Sequence, residues 1–283
     1  MILGAHVSIA GGIQNAVVNA ENIGCETFQI FTKNQSQWKE KIFSPSEINS
    51  FKKQLNSSKQ DKDQLACHNS YLVNLCSPDS EMLNKSRQSF VNEVNRCDAL
   101  DISFLVFHPG SHLGKGEEWG LKRISESLVW IIESSPESKV KLLLETTAGQ
   151  GTNLGYTIAH LRKIMELVNT PERLGICVDT CHMFAAGYDI REKRGYDETM
   201  DLIENEIGLH NVYMFHLNDS KKEMGSRADR HEVIGKGFIG EDFFRLLVND
   251  ERFLNVPGIL EIPGGDDMFR LCLKQIKNFR LGG

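Results

Sequence analysis

The sequence predicts a single (β/α)8 barrel spanning residues 1–283, with its active site at the C-terminal ends of the strands. Three observations carry that expectation. Eight short apolar, β-rich runs alternate with longer polar-patterned stretches. No Gly/Ser or Pro-rich linker or low-complexity tract divides the chain, and 283 residues is a length that α/β barrels often fill as one unit.

The runs are Ile2–Val7, Thr27–Phe31, Gln64–Cys67, Phe104–Phe107, Val140–Leu144, Leu174–Val178, Val212–Phe215 and Gly258–Leu260. They are continuous rather than alternating, as expected of parallel strands buried on both faces. The intervening segments carry a helical period. In Glu81–Leu100, residues Met82, Leu83, Ser86, Phe90, Val91, Val94 and Cys97 recur at i, i+3/i+4, and Leu121–Ile132 is similar. An open doubly wound sheet is the competing topology. It would normally place a Gly-rich phosphate turn after the first strand, and Ala10-Gly-Gly12 is only a fragment of one.

At 40% apolar and 25% charged residues, the chain has ordinary globular usage, which excludes disordered and coiled-coil classes. No apolar run approaches the ~18 residues of a membrane helix. Met1-Ile-Leu-Gly-Ala-His6 has neither the basic start nor the apolar length of a secretory signal. Seven cysteines, an odd number with no C-x-x-C pair, fit reduced thiols and a cytoplasmic protein. The formal charge is −6, whereas a protein that grips nucleic acid by phosphate neutralisation alone is expected to be basic. Any positive charge for such a partner must therefore be local or come from something other than side chains.

The residue that closes each run points to chemistry. Strands three to eight end on His68, His108, Glu145, Asp179, His216 and Glu261, and strand one ends on His6. Barrel side chains at C-terminal strand ends converge on one mouth. Massing carboxylates and imidazoles there without Lys or Arg is costly unless cations are bound. In Cys177-Val-Asp179-Thr-Cys181-His182, His182 follows Asp179 by three residues, one turn of a starting helix, so both can face the mouth. In Asp229-Arg-His231, an extended loop puts both ligand types on one side. The candidate ligands are thus His68, His108, Glu145, Asp179, His182, His216, Asp229, His231 and Glu261. This N/O set suits zinc, and manganese or iron also remain open; it is too large for one ion and fits two or three. His6 and His112 are possible neighbours of the site, whereas His160, His210 and the cysteines read as ordinary structural residues.

At these residues the chain resembles the endonuclease IV family of zinc-dependent apurinic/apyrimidinic endonucleases. The resemblance runs from residue 4 to about residue 266. It includes Gly4-Ala-His-Val-Ser8, Phe31-Thr-Lys-Asn-Gln35, His68-Asn-Ser-Tyr-Leu-Val-Asn-Leu75 and Phe107-His-Pro-Gly-Ser-His112. Glu145-Thr-Thr-Ala-Gly-Gln-Gly151, Val178-Asp-Thr-Cys-His182, His216-Leu-Asn-Asp219 and Gly225-Ser-Arg-Ala-Asp-Arg-His231 continue it.

The resemblance implies a TIM barrel holding three Zn²⁺ per chain. His68, His108 and Glu145 look like the ligands of one ion. Glu145, Asp179, His216 and Glu261 look like those of a second, and His182, Asp229 and His231 those of a third. It also implies cleavage of duplex DNA 5′ to abasic sites, leaving a 3′-hydroxyl, and removal of 3′-blocking groups, by zinc-activated hydroxide. Glu145 and Glu261 are the expected catalytic carboxylates. Zinc lowers the pKa of bound water to roughly 7, and three divalent ions would offset the formal −6 where phosphate must sit. Tyr71 and Leu72 look like a wedge that bends the duplex, with Lys33, Asn34 and Arg230 as further DNA contacts. Ser36 stands where the family often has Arg before Gln37-Trp38. The expected partner is damaged double-stranded DNA, with no membrane and no obligate protein partner, the chain acting as a monomer. A metal-dependent sugar isomerase or epimerase is the competing enzyme, and a non-catalytic lesion- or metal-binding protein the competing class.

Overall fold

The computed structural model describes residues 1–280. Its centre is a closed barrel of eight parallel strands: β1 (Ile2–His6), β2 (Thr27–Ile30), β3 (Ala66–His68), β4 (Phe104–Phe107), β5 (Lys141–Glu145), β6 (Leu174–Asp179), β7 (Val212–His216) and β8 (Pro257–Leu260). Each strand pairs with the next, and β8 closes on β1 through Ile2↔Pro257 and Ala5↔Leu260. The open-sheet alternative is thereby excluded. Strand bounds shift slightly from the sequence expectation. β3 starts later because Lys62–Gln64 forms a 3₁₀ turn capped by Asp61, while β5 and β6 each run on to include their terminal carboxylate.

Around the barrel lie α1 (Asn15–Ile23), α2 (Pro45–Asn56), α3 (Ser80–Leu100), α4 (Glu117–Glu133), α5 (Ile158–Val168), α6 (Thr180–Ala186), α7 (Lys193–Glu206), α8 (Glu241–Val248) and α9 (Gly265–Phe279). Their starts follow local chemistry. Ser44 and Glu47 form a reciprocal capping box ahead of Pro45, and Asp79 accepts the Met82 N–H at 2.8 Å to open α3. None of the described helices is long and apolar enough to cross a membrane.

Apolar packing is layered. A small inner cluster of Ala66, Phe104, Val106, Leu143, Cys177, Met214 and Ile259 fills the barrel, and a larger one lies between strands and helices. Phe90 on α3 meets Phe107 on β4 edge-to-face at 4.9 Å. Both are essentially buried, and burial of such a ring contributes about 1.5–3 kcal/mol. The seven cysteines are free and buried.

One irregularity sets the orientation of the rim. β6 and β7 pair as Ile176↔Val212 but then as Cys177↔Met214, so β7 carries one extra residue, Tyr213. Beyond this bulge Asp179 lies level with His216. Were the same sequence paired evenly, with Tyr213 given a partner of its own, Asp179 would oppose Phe215, and the face presented by that level of the strand would be inverted.

Candidate metal centre at the barrel mouth

β3, β5, β6 and β7 end on His68, Glu145, Asp179 and His216, which are all buried. His108 and Glu261 follow β4 and β8 directly. Asp179 also opens α6: its Oδ1 accepts the His182 N–H at 2.8 Å, which brings the His182 ring round to the mouth. A two-residue pairing of Asp219–Ser220 with His231–Glu232 carries His231 and Asp229 over the opening. The Asp219 carboxylate accepts backbone N–H groups from Gly235, Gly237 and Ile239 and so anchors the loop beyond them.

The nine side chains singled out in the sequence come together as three groups of potential ligand atoms. They are His68/His108/Glu145, Glu145/Asp179/His216/Glu261 and His182/Asp229/His231, and within each group the atoms lie within 4.8 Å of one another. Glu145 joins the first two. Its Oε2 is 3.0 Å from His68 Nε2 and 3.2 Å from His108 Nε2, and its Oε1 is 3.0 Å from His216 Nδ1.

The donor set has the pattern expected of cation ligands. Nδ1 of His68, His182 and His231 faces the main-chain oxygen of Asn69 (2.8 Å), Thr146 (2.8 Å) and Glu261 (3.0 Å) respectively. A carbonyl only accepts, so each Nδ1 carries the hydrogen and a neutral ring turns its Nε2 lone pair to the mouth. His182 Nε2 and His231 Nε2 are buried without a hydrogen-bond partner. Both lie close to Asp229 Oδ1, at 3.2 and 3.4 Å, but out of hydrogen-bonding alignment. Two buried imidazole nitrogens and a carboxylate oxygen converging in this way fit a divalent ion of the zinc type.

The electrostatics agree. Burial alone would raise the Glu145 carboxyl, but the charges of His108 and His216 hold it well below the usual range. Burial would likewise lower His182, yet Asp179 and Asp229 carry it well above the ordinary imidazole value. Burial pushes His6 below the ordinary imidazole value despite its 3.2 Å contact with Glu261. Imidazolium protons can thus neutralise the same carboxylates that a cation would.

Other expected contacts are placed less uniformly. Tyr71 is 55% exposed and packs edge-on against Phe31 at 5.5 Å, beside His68 and His108. Leu72 is half-buried, while Asn34 and Arg230 are at or near the surface. The Lys33 side chain is instead buried in the loop wall, 3.2 Å from Glu40 and 3.3 Å from Ser89. His112 takes a local turn contact from the Gly116 N–H. A groove of about 630 Å³ leaves the mouth past His6 and Phe31 and is lined further out by Lys39 and Lys41. Two functional neighbours escape a reading of the sequence. Asn218 donates to Asp179 Oδ2 at 2.7 Å and accepts the Glu261 N–H at 2.9 Å. Its signal is the two-residue spacing from His216, which keeps a strand face. Gln29, the other, is fully buried between the apolar Phe28 and Ile30.

A closed barrel with imidazoles and carboxylates massed at its strand ends is that of a Xylose isomerase-like TIM barrel, and the family model of that description matches residues 17–278. A Chloroflexus aurantiacus protein named "Probable endonuclease 4" is 48% identical over 94% of this chain and 92% of its own length. The crystal structure of endonuclease IV from Thermus thermophilus superposes with a TM-score of 0.88 at 32% identity, covering 99% of this chain and 98% of that one. The chain belongs to the endonuclease IV family. A D-tagatose 3-epimerase-like protein, 19% identical with a TM-score of 0.75 and covering 98% and 97% of the two chains, shares the fold alone.

Proposed function

We propose that this chain is a zinc-dependent phosphodiesterase that cleaves duplex DNA 5′ to abasic sites, leaves a 3′-hydroxyl and clears blocked 3′ ends. The observation that carries the reading is the meeting of two N/O donor groups at Glu145, with a third beside them, in a chain of this family. One catalytic unit over residues 1–283, acting as a cytoplasmic monomer on damaged DNA, is part of the same reading.

His68, His108 and Glu145 would hold one ion, Glu145, Asp179, His216 and Glu261 a second, and His182, Asp229 and His231 a third. When bound, such ions neutralise phosphate charge and make water nucleophilic near neutral pH. The residues do the rest. Glu145 keeps the first two sets in register by offering one oxygen to each. Glu261, within reach of His216 and His6, is the carboxylate suited to orienting or deprotonating the attacking water. Tyr71 stands beside His68 and His108, with the half-buried Leu72 next to it in the chain, where a base step would be opened, and Asn34 and Arg230 would offer polar contacts to the backbone. For Lys33 to reach a phosphate, it would have to leave Glu40.

The test is elemental analysis of the purified protein beside a nicking assay on abasic duplex. Three zinc ions per chain, nicking without added magnesium and loss of activity with a strong zinc chelator are expected. Magnesium-dependent nicking indifferent to zinc removal contradicts the proposal. One or two ions with ketose–aldose activity would favour the sugar isomerase or epimerase reading, which leaves the His182, Asp229 and His231 group without a task.

A further inference from the structure

We propose that Gln29 is a positioning residue that sets His216 in its Nε2–H form and steadies Glu261, so that both present lone pairs to one cation. The inference rests on the metal centre described above and adds to it a residue that offers no charge and no ligand atom of its own.

Three imidazoles of the mouth are anchored through Nδ1 to main-chain carbonyls, which cannot turn round. His216 is reversed. It is fully buried, its Nδ1 faces Glu145 Oε1 at 3.0 Å and Glu261 Oε2 at 3.2 Å, and its anchor is Nε2. The atom opposite that nitrogen is Gln29 Oε1, at 3.0 Å. A side-chain amide presents an acceptor or a donor depending on which way it is turned. If the oxygen faces His216, Nε2 carries the hydrogen and the Nδ1 lone pair of a neutral ring is free. If the nitrogen faces it, the hydrogen moves to Nδ1 and closes the side turned to Glu145 and Glu261.

Glu261 decides between the two. Gln29 Nε2 lies 2.6 Å from Glu261 Oε1, which accepts one amide hydrogen, and 3.0 Å from His6 Nδ1. Turning the amide would set its oxygen against an ionised carboxylate oxygen at that distance, two acceptors with no proton between them. The carboxylate therefore selects the amide orientation, and the amide selects the tautomer. The position is a built one: Gln29 is fully buried on β2, level with His6 on β1 and Ala66 on β3. β2 carries no His, Asp or Glu at its end, and Gln29 is its polar group toward the mouth.

The experiment compares intact wild-type protein with Gln29→Met, which keeps the length without hydrogen bonds, and Gln29→Glu, which keeps an acceptor for His216. Zinc retention is read by competition with a chromophoric chelator, and the His216 tautomer by long-range ¹⁵N–¹H NMR of the zinc-loaded protein. Gln29→Met is expected to hold zinc about 10- to 100-fold more weakly and to lose the pure Nε2–H pattern. Gln29→Glu is expected to keep that pattern. Weaker retention in Gln29→Met with an unchanged His216 pattern marks a merely structural residue and overturns the proposal, as does an unaltered Gln29→Met. If Gln29→Met fails to fold, Gln29→Glu decides alone, and loss of the Nε2–H pattern there overturns it. Wild-type protein that takes up no zinc at all removes the metal reading and this inference together, a result distinct from loaded wild type with an indifferent variant.

Discussion

The two ends of the barrel use the same kinds of residue to opposite effect. At the N-terminal end, Glu26 accepts the Leu3 N–H at 2.8 Å and two contacts from Arg280, at 3.2 and 3.0 Å. Arg280 in turn donates to the Met1 carbonyl, and Lys277 to that of Gly24, both at 2.8 Å. These charges are opposite in sign and engaged with one another or with main-chain carbonyls. At the mouth, carboxylates face imidazoles whose other nitrogen is already committed to a carbonyl, and two buried ring nitrogens have no hydrogen-bond partner. A closed network holds the chain together, whereas an open one leaves lone pairs for something else to use.

The largest test of this contrast falls at the mouth. Glu261→Gln is expected to keep most of the metal and the DNA affinity while losing about 10²–10⁴-fold in rate, measured by single-turnover nicking with parallel metal analysis. Normal turnover would remove Glu261 from the chemistry. Next comes the exposed ring at the same rim. Tyr71→Ala should weaken binding to abasic duplex by about 1–3 kcal/mol in a fluorescence titration with zinc content unchanged, and unaltered affinity would reduce Tyr71 to packing around His68 and His108.

The smallest effect belongs to the other end. Glu26→Gln should cost about 1 kcal/mol of stability, read as a small drop in Tm, and leave nicking untouched. Burial would by itself raise the Glu26 carboxyl, but Arg280 and the Leu3 N–H hold it below its ordinary value of 4.5. A carboxyl lowered on folding stabilises fully above 4.5 and loses that contribution as pH falls through its folded value. The Tm difference between wild type and Glu26→Gln should therefore be constant near neutrality and shrink below about pH 4.5. A gap that widens in acid would mean that Arg280 acts without its carboxylate.

How much of this is legible depends on what a linear pattern can carry. The barrel is readable because continuous apolar runs and helical periods are local properties. So is the gathering of His68, His108, Glu145, Asp179, His216 and Glu261, because strand ends of one barrel share a mouth. The 229–231 loop is readable through its two-residue spacing. Gln29 is hidden because a lone amide inside an apolar strand reads as noise until its partners, His216 and Glu261, are seen across the barrel. Lys33 reads as free positive charge, yet its ammonium is held by Glu40 and by Ser89 on α3, a contact between distant segments. Cys67, placed on the outer face by parity next to His68, meets Glu93 and Cys97 on α3, which no spacing in the sequence announces.

The extra residue in β7 acts as a shim. Below it, Met214 keeps the interior greasy; above it, His216 stands shoulder to shoulder with Asp179. A designer transplanting this stretch with its sequence intact into a foreign barrel would have to reproduce the bulge at Tyr213 along with the reactive groups. Paired rung for rung with Tyr213 kept in line, the same letters in the same order would turn Phe215 to the opening and leave a blank, oily wall.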